Sequence, residues 1–165
     1  MGALHRILWV LDKIFHFKEA HAHCDIPCGI YDPHTAQIAA HTVLRMDTLI
    51  ADIMKEGGVS ADDRNKLARC IVVKEQYAEQ VKHEVRIIWG DYAKPDMVTP
   101  ELNKLVFDIM KAASKAKQDT NIDSAKDLLA KVEQFTKWFW KTKNVPTVKA
   151  KSFSPLEEGM IYPKV

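Results

Sequence analysis

The sequence is poor in cysteine and has no long apolar run, and each absence removes a class of protein. Only three cysteines, Cys24, Cys28 and Cys70, occur in 165 residues. They are too few and too unevenly placed for the disulfide framework of a small secreted domain. No window reaches the roughly 18 apolar residues of a membrane-spanning helix. We therefore expect a protein of a reducing compartment, the cytoplasm, without a membrane partner.

An excess of charge of one sign is also missing. The 24 Lys and Arg residues nearly balance the 22 Asp and Glu residues, which gives a net charge of +2 with the two signs interspersed. Nucleic-acid binding depends on clustered cations, so no nucleic-acid partner is expected. The length suits one hydrophobic core and hence one compact domain.

Four segments repeat apolar residues at the i, i+3, i+4, i+7 spacing of an amphipathic helix, each after a capping residue. The caps are Asp32 (with Pro33 at the first helical position), Ser60, Thr99, and Asn121 or Asp123. The expected ends are Gly57, Lys94 before Pro95, Ala113 and Lys143, with a polar loop over 114–121. No segment shows convincing strand alternation. The fold class is therefore all-α, an antiparallel up-and-down four-helix bundle with short loops.

The two ends of the chain differ from this body. An apolar stripe in the first 22 residues predicts a short amphipathic helix formed by Leu4, Ile7, Leu8, Leu11, Ile14 and Phe15. The run Ile7–Leu11 is shorter than the 7–15 residues of a secretion signal, so an N-terminal helix packed on the domain is one interpretation. The tail 144–165 has three prolines and no sustained period. It should be an extended arm or a disordered end, and its aromatics favour an arm.

The stretch AHAHCDIPCGIYDP, residues 20–33, concentrates the metal-binding residue types. Cys24 and Cys28 flank Pro27 and can meet at one metal, while His23 adds an imidazole and Asp25 a carboxylate. Such donors suit Zn, Fe, Cu or Ni, and the spacing does not choose among them. Three uses stay open on the residues alone. They are a redox metal centre, a non-catalytic zinc or nickel site formed by His21, His23, Cys24 and Cys28, and a thiol–disulfide module.

The segment HCDIPCGIYDP resembles the N-terminal nickel hook, H-C-D-x-P-C-G-x-Y-D-P, of nickel superoxide dismutases. The similarity continues at Lys74–Gln76 and at Trp89–Pro95, which is similar to W-x-D-Y-x-K-P, and it covers about residues 23–142. The resemblance implies a precursor with four parts. They are a propeptide (1–22), a nickel hook (23–33), a four-helix bundle (34–143) and a C-terminal extended arm (144–165).

The resemblance also implies the chemistry. A maturation protease would cut between Ala22 and His23, so that the new α-amine of His23 becomes a ligand. One nickel ion per subunit would be held by that amine, by the amide nitrogen and thiolate of Cys24 and by the thiolate of Cys28, with the His23 imidazole as axial ligand. Ni(II)/Ni(III) cycling would disproportionate superoxide to dioxygen and hydrogen peroxide, as an antioxidant defence, in a homo-hexamer. Strong donors are needed because aqueous nickel is very hard to oxidise.

Four further residues match positions around the family's hook. Tyr31 and Tyr92 are expected to hold a water or anion near the metal, Lys94 to attract the anion, and Asp25 to fix the hook through backbone hydrogen bonds. This chain departs from the family at two positions. Ala39 and Tyr77 stand where several members have a glutamate that bonds the axial imidazole and an arginine that supports it. Another group must therefore orient the His23 imidazole.

Overall fold

A computed structural model describes residues 29–57, 60–152 and 154–164, and the predicted four-helix bundle is confirmed. The helices are α1 (His34–Lys55), α2 (Ala61–Ile87), α3 (Pro100–Gln118) and α4 (Ile122–Thr142), and a π-helical turn, Ile88–Tyr92, follows α2. Each helix packs on the next, and α4 returns to α1. Within the described part of the chain, no helix is both long and apolar enough to cross a membrane.

Side-chain caps begin three of the four helices. The Ser60 hydroxyl accepts from the Asp63 N–H at 3.0 Å, and the Asp63 carboxylate accepts from the Ser60 N–H at 3.3 Å, which completes a capping box. The Thr99 side chain caps α3 by accepting from the Leu102 N–H, and the Asn121 side chain caps α4 by accepting from the Asp123 N–H. Helix α1 begins one residue later than predicted. Pro33 is its cap residue, and the Asp32 carboxylate instead accepts from the His34 N–H at 2.7 Å.

The inward stripes of all four helices form one hydrophobic core. Its fully buried members include Val43, Leu44, Val81, Val85, Ile109, Leu128, Phe135 and Phe139. The polar loop predicted over 114–121 is wrong for residues 114–118, which continue α3. Ala116 is completely buried there, so one alanine keeps the inward stripe going while the lysines beside it face outward. Cys70 lies half-buried between α1 and α2 rather than in the core.

A buried ion pair ties α1 to α2. Lys74 Nζ lies 2.9 Å from Asp47 Oδ1, and their side chains are only 1% and 0% exposed. Lys74 also donates to the carbonyl of Asp119, after the end of α3. Burial raises the pKa of the Asp47 carboxyl above its ordinary value, and the hydrogen bond from Lys74 opposes that rise. The pair therefore connects three segments of the bundle through one desolvated cation.

The tail after α4 forms a β-hairpin, which the sequence analysis did not predict. Strands β1 (Thr147–Lys151) and β2 (Gly159–Pro163) pair antiparallel, with Lys149 opposite Ile161. The Gln37 side chain on α1 accepts from the Ile161 N–H at 2.8 Å and donates to the Ile161 carbonyl at 3.0 Å. Gln37 thus replaces a third strand along the outer edge of β2. The tail is extended, and it packs against the bundle of its own chain.

Candidate metal centre

The four residues of the predicted hook, His23, Cys24, Asp25 and Cys28, lie outside the described part of the chain, as does the rest of 1–28. Within the described ranges, no three His, Cys, Asp or Glu side chains come close enough together to hold a metal ion. The described bundle therefore supplies the surroundings of the hook.

The chain enters the described region through a left-handed residue. Gly29, directly after Cys28, has a φ of 72°, which L-residues with a side chain rarely adopt. Ile30 then points into solvent with 80% of its surface exposed, and Tyr31 turns back to pack against the hydrophobic core. This backbone bend separates the hook from α1.

Tyr31 lies against Tyr92, although 61 positions of sequence (92 − 31) separate the two. Their ring centroids are 5.5 Å apart and the planes are tilted by 51°. Behind them, the Tyr92 ring packs on Phe139 of α4 at 4.9 Å. Aromatic pairs at these distances attract one another beyond simple burial. The structure therefore places Tyr31 of the H-C-D-x-P-C-G-x-Y-D-P segment against Tyr92 of the W-x-D-Y-x-K-P segment.

The π-helical turn explains how Tyr92 comes to face Tyr31. The Ala93 N–H donates to the Ile88 carbonyl at 3.1 Å, five residues back instead of four. One extra residue in a turn rotates every later side chain by about 100° relative to a regular α-helix. The sequence analysis extended a regular helix to Lys94 and missed this turn. The signal available was Gly90, an isolated glycine inside a helical pattern.

A hydroxyl chain fixes the Tyr92 ring. The Thr142 hydroxyl donates to the Phe139 carbonyl at 2.7 Å and lies 2.6 Å from the Tyr92 hydroxyl. Because Thr142 has only one hydroxyl proton, Tyr92 is the donor in the second bond. The Tyr92 hydroxyl can then accept a further hydrogen bond through its lone pairs, but it has no second proton to donate. Sequence reasoning did not identify Thr142.

Two lysines flank this tyrosine. Lys94 is exposed just beyond the π-helical turn, and its carbonyl accepts from the Met97 N–H at 2.9 Å. Lys143, at the end of α4, places its Nζ 5.0 Å from the centroid of the Tyr92 ring, which is a cation–π contact. The sequence analysis named Lys94 as a site residue and missed Lys143, because no motif marks the residue that follows α4.

The two positions at which the chain departs from the family pattern lie inside the bundle. Ala39 on α1 is completely buried, and Tyr77 on α2 is half-buried against the core. A methyl group and a phenol therefore occupy these positions, so neither a carboxylate nor a guanidinium can reach the hook from them.

Comparison with known proteins identifies the family. The sequence model described as nickel-containing superoxide dismutase matches residues 18–143. The nickel superoxide dismutase of Streptomyces coelicolor is 40% identical over 124 residues, which cover 74% of this chain and 88% of that protein. That of Streptomyces seoulensis is 38% identical over 137 residues, which cover 81% and 98% respectively.

Solved structures agree with this result. A crystal structure of nickel-containing superoxide dismutase with the ligation of the oxidised state is 39% identical and has a TM-score of 0.65. It covers 74% of this chain and 99% of its own. A native nickel superoxide dismutase structure is 40% identical with a TM-score of 0.62, and it covers 73% and 99%. The matched range 18–143 includes both the hook segment 23–33 and the four helices. This chain therefore belongs to the nickel-containing superoxide dismutase family.

Proposed function

We propose that this chain is the precursor of a superoxide dismutase that converts two superoxide anions and two protons into dioxygen and hydrogen peroxide. The observation that carries the proposal is the hook sequence together with the contact of its Tyr31 with Tyr92. Family membership supports the activity and its nickel cofactor.

The donor set of the hook suits nickel. His23, Cys24 and Cys28 would hold the ion through an α-amine, an imidazole, an amide nitrogen and two thiolates. Thiolates and a deprotonated amide are strong donors, and such a set suits nickel better than zinc, which favours a tetrahedral site. Bound there, nickel supplies one-electron exchange between Ni(II) and Ni(III). The α-amine exists only after the Ala22–His23 bond is cut, so residues 1–22 act as a propeptide.

The residues assigned to the surroundings of the metal have separate tasks. Tyr31 and Tyr92 form an aromatic wall that keeps larger molecules away and leaves room for a small anion or water. Thr142 holds the Tyr92 ring in place by accepting a hydrogen bond from its hydroxyl. Lys94 and Lys143 provide positive potential that attracts superoxide, and Asp25 fixes the hook.

We further propose a cytoplasmic homo-hexamer that is cut by a maturation protease. Exposed apolar side chains support self-association, since Phe107 is 62% exposed, Val72 54% and Ile71 41%. Repeated self-contact through such surfaces is how closed homo-oligomers form.

The test uses protein cut before His23, loaded with nickel and assayed for superoxide removal. We expect activity, and we expect Cys24→Ser and Cys28→Ser to abolish it. Cys70→Ser is the matched control and should keep full activity, because Cys70 lies in a groove between α1 and α2. A nickel-bound but inactive product would refute the enzymatic proposal. Native protein that still begins at Met1 or Gly2 would favour the non-catalytic metal site instead.

A further inference from the structure

A groove lies between α1 and the C-terminal segment, with a volume of about 310 Å³. We call it the α1–hairpin groove. Its walls include Ile38, His41, Arg45 and Met46 from α1 and Leu156 and Met160 from the C-terminal segment. Ile38 is 46% exposed although it is large and apolar. An apolar groove of this size on a small domain commonly marks a binding surface.

Two polar side chains also line the groove. His41 is only 5% exposed, and neither ring nitrogen makes a hydrogen bond of normal geometry within the described part of the chain. Arg45 is half-buried and forms no ion pair among residues 29–57, 60–152 and 154–164. His41 is already covered by the Gly159 backbone of β2, so the half-exposed Arg45 is the polar group through which this groove can pair with a carboxylate.

The position of the groove indicates which segment covers it. Ile38 lies about one turn into α1, and Met46 lies two turns further, so this wall is about 12 Å long at 1.5 Å per residue. At the start of α1, the Tyr162 ring of β2 lies 6.3 Å from the His34 ring. The groove therefore begins close to where the chain arrives from residues 1–28.

The preceding sequence is complementary to this groove. Residues 4–15 carry the stripe of Leu4, Ile7, Leu8, Leu11, Ile14 and Phe15, and as a helix they span about 18 Å. Asp12 borders that stripe and offers a carboxylate for Arg45. Residues 16–33 are long enough to let the segment fold back along α1. All of residues 4–15 and the whole hairpin lie outside the matched range 18–143.

We propose that residues 4–15 dock as an amphipathic helix in the α1–hairpin groove of the same chain. The precursor thereby holds its propeptide along α1, near the Ala22–His23 bond. Cleavage would remove the covalent link and with it the high effective concentration that the link provides, so the freed peptide leaves and the groove opens. The inference rests on the proposed function only in treating residues 1–22 as a propeptide.

The test compares the metal-free full chain with a chain that begins at His23, by NMR of ¹³C-labelled methionine methyl groups. The Met46 and Met160 signals should shift in the full chain and become protected from a soluble gadolinium chelate. Met54 is the internal control, since it lies on α1 outside the groove and is 59% exposed. Leu11→Asp should return both groove signals to their positions in the shorter chain. Lys13→Asp, on the opposite face of the helix, should leave them shifted.

Identical Met46 and Met160 signals in the two chains would overturn the proposal. So would a Leu11→Asp variant that keeps the shift, or one that loses it together with a lower oligomeric state in sedimentation, because the segment would then bridge two copies. Both substitutions lie outside the bundle, so its folding does not confound the result. Superoxide removal is not measured here, and a failure of docking is therefore separate from a failure of the enzymatic proposal.

Discussion

Single residues explain why the bundle holds its candidate site firmly. The Tyr92 hydroxyl donates to Thr142, and the Thr142 hydroxyl donates to the backbone of α4. The Tyr92 ring also packs on Phe139, so both its hydroxyl and its ring contact the end of α4. Lys74 plays a comparable part on the far side of the core, where its one ammonium group serves both Asp47 and the Asp119 carbonyl. In each case one polar side chain links segments that are distant in sequence.

Tyr92→Phe removes the bond to Thr142 without removing the aromatic contact. We expect the free energy of unfolding to fall by about 1 kcal/mol, the usual net value of one hydrogen bond. Superoxide removal should fall as well, because the ring is held less firmly beside Tyr31. Denaturant unfolding and a superoxide assay measure the two effects. Tyr77→Phe is the control, and equal loss of activity in both variants would contradict the assigned role.

Lys74→Met leaves the Asp47 carboxylate buried without its cation. We expect a loss of about 3–5 kcal/mol in the free energy of unfolding, since an uncompensated buried charge is costly. The double variant Lys74→Met/Asp47→Leu should recover most of that loss. Chemical denaturation of the four proteins of the cycle measures the coupling. A double variant no more stable than the single one would show that the charge is not the cause.

Lys82→Met is the matched surface control. Lys82 and Lys117 both bond Glu79 and hold the pKa of its carboxyl down to about 2. Glu79 is nevertheless half exposed. Solvent screens such pairs, so removal of Lys82 should cost less than about 1 kcal/mol.

Among the elements, the hairpin and the π-helical turn depart most from a plain bundle. The hairpin covers the side of α1 that carries Gln37 and His41, and the turn directs Tyr92 inward. Burial lowers the pKa of His41 below its ordinary value. Glu133 and Glu158 oppose that shift, whereas Lys149 adds to it. The hairpin therefore rests on a neutral imidazole.

The pH dependence of folding follows from this lowered pKa. The folded protein binds the His41 proton more weakly than the unfolded chain, whose value is 6.5. The stability that neutral His41 contributes is therefore complete above pH 6.5 and is lost as the pH falls below that value. Denaturation at about pH 7.5 and about pH 5.5 should show a smaller loss for His41→Gln than for the unmodified chain. His34→Gln, at an exposed position, should keep the full loss.

Some helix boundaries could be predicted from the sequence, whereas the hairpin and part of the candidate site could not. Ser60, Thr99 and Asn121 marked helix starts correctly, because a side-chain cap acts on the N–H groups two or three residues ahead and needs no distant partner. The hairpin was missed because its hydrogen bonds to Gln37 join residues 124 positions apart, which no local pattern indicates. The prolines of the tail also interrupt the alternation of apolar and polar residues that predicts a strand. Tyr31 and Tyr92 could be named only through the family motif, since nothing local indicates that they meet. Lys143 and Thr142 had no such motif.

At the scale of the whole molecule, the distribution of charge matters more than the net charge of +2. Lys94 and Lys143 are both exposed and both flank Tyr92, so they place positive potential at one end of the bundle. A small anion that approaches Tyr92 from solvent along this end of the bundle meets this field first.

Lys143→Gln should lower the rate constant for superoxide removal about twofold at low ionic strength, because one of the steering charges is lost. The difference should shrink as salt is added, since screening shortens the reach of the field. Pulse radiolysis across a salt series measures this. Lys137→Gln removes an equally exposed charge from the same helix, and its rate should match that of the unmodified chain. A salt-independent effect of Lys143→Gln would point to packing instead of steering.

The contact between His34 and Tyr162 brings the last strand next to the first helical residue, and the Lys164 N–H extends that strand by bonding the Pro146 carbonyl at 2.8 Å. The described chain thus ends close to where it begins. A fluorophore placed at position 164 would be distant from His34 in sequence yet near the start of α1 in space. Under the proposed function, nickel loading should then be readable as quenching of this fluorophore, without a label on any ligand.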